Sequence, residues 1–374
     1  MAVPADNLRQ RIADLFSRDI DQPIEDDVFD ALARDVFAFQ FEYCAAYRAY
    51  CTRRGITPAQ VTHWFEIPAV PTAAFKELPL VAGDPDDAEL VFQTSGTTAG
   101  AERRGTHYVL DANLYRGSLL PTFRAFVLPD IPEMRMLSMV LPATQAPRSS
   151  LSYMVQTVID AMGAPGSAYF IDDERGIDVP ALTRALESAI DANEPVCILA
   201  TSLAMVHLLE AFREERRSLR LPRGSRIMDT GGYKGRTRTI PAEELRGLYS
   251  DMLGIAPDHC VNEYGMTEML SQFYDAALRD RFHGRDAGDV PVKRGPPWTR
   301  SRAVDPETLE AVPPGATGIL HHFDLANLFS ISALQTEDLG RVHPDGIELL
   351  GRRPGAAPRG CSIAMDILLE RSHE

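Results

Sequence analysis

The chain has 374 residues and a formal net charge of −15, with 45% hydrophobic and 24% charged residues. This is a globular composition, long enough for a large core and for more than one domain. The acidic balance argues against nonspecific binding to nucleic acid or to an anionic membrane, and leaves room for a local basic pocket.

No uninterrupted apolar run approaches the roughly 20 residues of a membrane-spanning helix. The opening Met1-Ala-Val-Pro-Ala-Asp6 lacks a basic segment followed by an apolar core, so a cytoplasmic location is expected. Residues 29–54 read as helical, with apolar and aromatic positions three and four apart up to Gly55. A proline-punctuated stretch, Ile67-Pro-Ala-Val-Pro71, leads into Thr72-Ala-Ala-Phe-Lys76. From residue 90, strand patterns at 90–93, 135–140, 196–200 and 226–229 alternate with helix patterns at 112–126, 151–162, 179–190, 203–212 and 242–253. That alternation predicts an α/β fold with a largely parallel sheet flanked by helices. After about residue 290 prolines and glycines become dense and strands such as 319–323 carry the pattern, which predicts a small β-rich subdomain. The expected organisation is an N-terminal helical segment (1–88) packed on an α/β core (89–290), a β-rich subdomain (291–350) and a much reduced C-terminal segment (351–374).

The five cysteines, Cys44, Cys51, Cys197, Cys260 and Cys361, are odd in number and form no C-x-x-C pair, so neither a zinc site nor a disulfide framework is expected. Cys44 and Cys51, seven apart on the expected helix, share a face; Cys197 lies in an apolar run and reads as a small buried hydrophobe.

Four segments can carry chemistry. The first is Thr94-Ser-Gly-Thr-Thr-Ala-Gly100, directly after Leu90-Val-Phe92. The hydroxyls of Thr94, Ser95, Thr97 and Thr98 and the bare backbone at Gly96 let donors crowd around an anion such as a nucleotide phosphate; the alternative is an ordinary surface turn. It is not a P-loop: Gly100 and Gly105 have the glycine spacing, but Thr106 stands where that motif needs lysine. The second is Asp229-Thr-Gly-Gly-Tyr-Lys234, whose glycines Gly231 and Gly232 follow a strand at the edge where open α/β sheets bind ligands; the alternative is a tight turn. The third, Asn262-Glu-Tyr-Gly-Met-Thr-Glu268, follows Cys260-Val261 and is expected to open a helix. Tyr264 offers a stacking face, Thr267 a hydroxyl and Glu268 a metal ligand, suited to adenine, an α-phosphate and Mg²⁺; a capped helix N-terminus is the plainer reading. The fourth, Gln335-Thr-Glu-Asp-Leu-Gly340, is expected as a loop in which Asp338 holds ribose hydroxyls or is simply solvated. Arg103, Arg104, Lys234, Arg236 and Arg238 are candidates for local positive charge. His107, His207, His321 and His322 receive no role; adjacent histidines on a strand face opposite sides and do not share a metal.

In this order and spacing the segments resemble those of the adenylate-forming superfamily, which includes acyl-CoA synthetases, peptide-synthetase adenylation domains and luciferases. Thr94 to Gly100 resembles its TSGTTG phosphate loop and Tyr264 to Glu268 its YGxTE motif, with Glu263 beside it. Gly231, Gly232 and Tyr233 resemble its adenine-side glycine segment, Thr336 to Gly340 its TGD segment with Asp338 as ribose ligand, and Gly351-Arg352 its hinge-region arginine segment. Two departures stand out. The phosphate loop continues Ala99-Gly-Ala-Glu-Arg-Arg-Gly105, and the sequence ends soon after Arg352, without the family's large lid domain and its catalytic lysine. A shorter branch, the LuxE-type acyl-protein synthetases, is similar over nearly the whole chain, including Val70-Pro-Thr-Ala-Ala-Phe-Lys76, Gly231-Gly-Tyr-Lys234 and Arg359-Gly-Cys-Ser362.

The resemblance implies ATP and Mg²⁺ as cofactors and activation of a fatty or related carboxylic acid as acyl-AMP. The acyl group then passes to a thiol, Cys361, and on to a partner reductase or carrier protein. It implies phosphate contacts from Thr94, Ser95, Gly96, Thr97, Thr98 and Thr267, with Mg²⁺ on Glu268. Lys234 or Arg352 is expected to stand in for the lid lysine. Two other readings stay open: an adenylating ligase that passes the acyl group directly to CoA, a carrier protein or an amine, and a non-catalytic acyl-adenylate-binding or partner-binding homologue.

Overall fold

In the computed structural model, which describes residues 3–94, 104–231, 241–285 and 292–353, three helices lead the chain: α1 (Ala5–Phe16), α2 (Asp26–Tyr43) and α3 (Ala45–Arg53). Then come β1 (Val70–Pro71), the hairpin β2 (Leu90–Gln93) and β3 (Thr106–Val109), α4 (Ala112–Val127), β4 (Arg135–Ser138), α5 (Ser150–Met162), β5 (Ala168–Tyr169), β6 (Ile171–Asp172), β7 (Gly176–Ile177) and α6 (Val179–Asp191). The chain continues with β8 (Val196–Thr201), α7 (Ser202–Glu214), β9 (Arg226–Thr230), α8 (Ala242–Leu253), β10 (Cys260–Tyr264), β11 (Phe273–Asp275) and α9 (Ala277–Phe282). It closes with β12 (Lys293–Arg294), β13 (Thr299–Val304), β14 (Gly318–Asp324), β15 (Ala333–His343) and β16 (Gly346–Arg352).

One 12-stranded sheet runs β13-β14-β15-β16-β12-β11-β10-β9-β8-β4-β5, with β1 added in parallel to β15. Its β10-β9-β8-β4-β5 part is parallel, as the strand–helix alternation predicts, and the rest of the path is antiparallel. β8 shows why the parallel half is covered on both faces. All six of its residues are buried. Cys197 and Leu199 join one apolar cluster with α2, α4 and α5, while Val196, Ile198 and Ala200 join a second with α6, α7 and α8. A period of two on the strand thus feeds two cores, and each buried Leu or Ile contributes about 1.5–3 kcal/mol. No helix among the described residues is long and apolar enough to cross a membrane.

Three local expectations are corrected. The N-terminal helical run breaks at Cys44, whose extended backbone (φ −106°, ψ 99°) ends α2 and starts α3, turning Tyr47 and Cys51 into the core. No helix opens at Asn262: β10 runs through Tyr264 and the motif ends in a turn, because pairing with β9 and β11 competes with local helix signals. Residues 335–340 are not a loop but lie inside β15, held by β14 on one side and β16 on the other.

Candidate active site

The carboxyl ends of β8, β9 and β10 lie side by side, which is where an open α/β sheet offers its crevice. At the end of β9 the chain turns at Gly231, whose φ of +83° is a left-handed conformation that glycine adopts without steric cost. Ser202, the first residue of α7, donates its hydroxyl to the Gly231 carbonyl (3.0 Å) and to Asp229 (3.2 Å). The Asp229 carboxyl also accepts from the Tyr249 hydroxyl (2.8 Å) and the Asn262 amide (2.8 Å). Burial pushes this carboxyl up, against the pull of those donors. Asp229 therefore ties α7, α8, β9 and β10 together beneath the edge.

Asn262 is gripped at its backbone as well. Its N–H donates to Asp275 (3.0 Å) and its carbonyl accepts from the Lys293 ammonium (2.8 Å). Lys293 and Arg246 both pair with Asp275 (2.7 and 2.6 Å). Burial opposes the charge on Asp275, yet the two cations hold its carboxyl below the usual range. Next along β10, Glu263 is buried against Thr230, whose hydroxyl donates to it, and burial lifts its carboxyl to about 7.

The turn after β10 is fixed by the end of β14 and the segment that follows it. Asp324 accepts from the N–H groups of Leu270 and Ser271 (3.1 and 2.9 Å) and from the Ser271 hydroxyl (2.7 Å). The Asn327 amide donates to the Glu268 carbonyl (2.8 Å). Burial pushes the Asp324 carboxyl up to about 6. Thr267 stands 3.5 Å, oxygen to oxygen, from Ser150 at the start of α5, and its carbonyl pairs with Nδ1 of His107 (2.7 Å).

His107 belongs to β3, and so connects this turn to the β2–β3 hairpin. Thr94 and Gly105 close the base of that hairpin: the Thr94 N–H donates to the Gly105 carbonyl and the Gly105 N–H to the Thr94 hydroxyl, both at 2.8 Å. A side chain at Gly105 would meet the Thr94 hydroxyl at 3.1 Å, so the closure favours glycine. Ser95, Gly96, Thr97, Thr98 and Arg103 within the loop lie outside the described residues, as do Gly232, Tyr233, Lys234, Arg236, Arg238 and Cys361.

The antiparallel half completes the arrangement. The Tyr264 hydroxyl donates to the Asp338 carboxylate (3.0 Å), joining segments 74 residues apart. Arg352 pairs with Glu337 (2.5 Å) and Asp338 (3.3 Å). Tyr264 also contacts Nε2 of His322 (3.2 Å). Hydrogen bonds and chain neighbours thus link Thr94, Gly231, Glu263, Tyr264, Gly265, Thr267, Glu268, Asp338 and Arg352 into one network. His107, Asp275, Lys293, His322 and Asp324 enter it without any motif to announce them.

Two features bear on chemistry. Among the described residues no group of three or more His, Cys, Asp or Glu can hold a metal ion. Glu268 supplies a single carboxylate, which fits Mg²⁺ carried chiefly by substrate phosphates and water. The four described cysteines are buried and free, and burial pushes the thiols of Cys51 and Cys197 to about 12 and raises those of Cys44 and Cys260. Such thiols are poor nucleophiles.

The fold is that of the adenylate-forming ligases. An open conformation of 2-hydroxyisobutyryl-CoA ligase, solved with 2-HIB-AMP and CoA, matches with a TM-score of 0.58 at 15% identity over 85% of this chain and 73% of that one. The same ligase in its thioesterification state matches with a TM-score of 0.59 at 15% identity over 94% and 69%. Sequence narrows the class. The family model for acyl-protein synthetase, LuxE, matches residues 12–369, and the chain belongs to that family of ligases. Two curated relatives are both long-chain-fatty-acid–luciferin-component ligases. The one from Vibrio harveyi is 22% identical over 344 residues (89% of this chain, 86% of the relative), and the one from Aliivibrio fischeri 23% over 359 residues (92% and 90%).

Proposed function

We propose that this protein adenylates a long-chain fatty acid with ATP, loads the acyl group onto Cys361 and delivers it to a partner reductase or carrier protein in the cytoplasm. The observation that carries the reading is the hydrogen bond of Tyr264 to Asp338 (3.0 Å), because it brings an aromatic ring suited to a base and a carboxylate suited to a ribose into one place. Tyr264 and the Gly231-Gly232-Tyr233 segment hold the base, with Glu263 beside Tyr264 in β10. Asp338 accepts from the ribose hydroxyls, and Arg352 keeps that carboxylate oriented.

In the first step the fatty-acid carboxylate attacks the α-phosphorus; a C–O–P anhydride forms and pyrophosphate leaves. Two anions must meet, so charge neutralisation is the main task. Thr267 donates to the α-phosphate; Thr94, Ser95, Gly96, Thr97 and Thr98 donate to the β- and γ-phosphates. Lys234 supplies the cation. Glu268 would hold Mg²⁺, which supplies Lewis-acid charge neutralisation when bound. In the second step the Cys361 thiolate attacks the acyl carbonyl, a thioester forms and AMP leaves. The depressed reactivity of the four buried cysteines supports Cys361 as the acyl carrier.

The test is ATP–pyrophosphate exchange across a panel of acids, followed by the intact mass of the protein after incubation with ATP and the best acid. Exchange with a long-chain acid and a mass gain of one acyl group are expected. In Cys361→Ser the mass gain disappears while exchange continues. No exchange with any acid, or an acyl group retained in Cys361→Ser, would overturn the corresponding half of the proposal.

A further inference from the structure

His321 and His322 are adjacent in β14, and the alternation of a strand sends them to opposite faces. His322 sits across from Ser301 of β13, and Nδ1 is 2.8 Å from the Ser301 hydroxyl. Its other nitrogen, Nε2, is 3.2 Å from the Tyr264 hydroxyl, which in turn donates to Asp338 at 3.0 Å. The imidazole is buried, packed against Phe273 (ring centroids 5.2 Å apart) and Tyr264 (5.7 Å). Burial keeps it neutral, with its pKa pushed down to about 3.

A neutral imidazole has one N–H and one lone pair. The phenol spends its only proton on the carboxylate, so Nε2–H donates to the phenol oxygen and Nδ1 accepts from Ser301. The donors therefore run in one direction, from Ser301 through His322 and Tyr264 to Asp338, and each bond polarises the next. A phenylalanine would fill this apolar space beside Phe273 at lower desolvation cost. The two nitrogens pay their way only through what lies at the end of the chain.

We propose that His322 is a positioning residue for nucleotide recognition: it fixes the Tyr264 phenol so that the ring presents one face to the adenine while the hydroxyl stays on Asp338, the ribose carboxylate. The inference rests on the reading of Tyr264 and Asp338 as nucleotide ligands. His322 touches no reacting atom, so it acts on ATP affinity and not on the chemical step.

The experiment measures ATP binding by calorimetry on the full chain, and kcat and KM for ATP and for acid in pyrophosphate exchange. His322→Phe is expected to raise the ATP KM about tenfold, the equivalent of one to two hydrogen bonds, with kcat and the acid KM within about twofold. His322→Gln, which keeps an N–H near the Nε2 position, recovers most of that loss. Ser301→Ala, a milder change at the rim, shifts the ATP KM in the same direction by a few-fold and keeps the test alive if His322→Phe does not fold. In a Tyr264→Phe background, His322→Phe adds less than about twofold, because the hydroxyl it acts through is gone. The role is overturned if His322→Phe leaves the ATP KM unchanged, if ATP and acid KM change together with kcat, or if its effect persists in Tyr264→Phe. A wild-type chain that binds no ATP overturns the nucleotide reading and this role with it. That result is distinct from a wild type and a His322→Phe variant that bind ATP equally well, which removes the His322 role alone.

Discussion

Replacing Gly265 with alanine puts a methyl carbon 2.4 Å from Oε1 of Glu263 and 3.5 Å from its Cδ. The backbone there is not left-handed, so the cost is the clash and not the conformation. The carboxyl cannot simply swing away, because it is buried and accepts from the Thr230 hydroxyl. Either that bond breaks or the turn carrying Thr267 moves. Overpacking of this kind costs about 1–3 kcal/mol, and a lost hydrogen bond adds about 1. Expressed at the transition state, about 2–4 kcal/mol lowers kcat/KM by roughly 30- to 1,000-fold. The assay is pyrophosphate exchange for Gly265→Ala, Glu263→Ala and the double variant. With the carboxyl already removed, Gly265→Ala should cost less than about 0.5 kcal/mol. Wild-type kcat/KM in Gly265→Ala, or an equal loss in both backgrounds, would refute the reasoning.

Two further outcomes follow from the buried charges. Glu263 holds its proton in the fold up to about pH 7, whereas the unfolded chain loses it above 4.5, so its contribution to stability falls as pH rises from 4.5 through about 7. Glu263→Gln has no such proton; the unfolding free energy of the wild type minus that of the variant should drop by on the order of 3 kcal/mol between pH 5 and pH 8, and a constant difference would count against a buried neutral carboxyl. Lys293→Met leaves Asp275 buried with Arg246 as its remaining cation. Breaking such a pair costs about 3–5 kcal/mol, here toward the low end, read as a fall in unfolding free energy in urea; a loss below about 1 kcal/mol would mean the pair is incidental.

Helices and parallel strands were legible where one local pattern decided the outcome. The segment 242–253 forms α8 over those same residues, and the buried run at 196–200 forms β8. The pattern failed where pairing outweighed local signals. Tyr264 sits in a strand because β9 and β11 flank it, and Asp338 sits in a strand because β14 and β16 do. The four motif segments could be found because their residue types and order are distinctive. Lys293, Asp275 and Asp324 could not, since each matters only through partners brought to it by the sheet. His107 and His322 carried no spacing signal; a lone histidine looks the same in sequence whether it fills a core or orders a neighbour. The strand alternation did separate His321 from His322, and that separation decides which of them meets Tyr264.

β12 is two residues long, yet in the antiparallel part of the sheet it alone links β11, which borders the parallel strands, to β16: Lys293 and Arg294 pair with Asp275 and Tyr274 on one side, and Lys293 with Ile347 on the other. Tyr264 lies on one bank of this seam and Asp338 on the other. A nucleotide held by both would staple the banks together, lending its binding free energy to the cohesion of the sheet, about 2.7 kcal/mol at a hundred times its dissociation constant. Release of that nucleotide would withdraw the staple. This narrow backbone joint is where such filling and emptying would be felt as tightening and slackening of the scaffold itself.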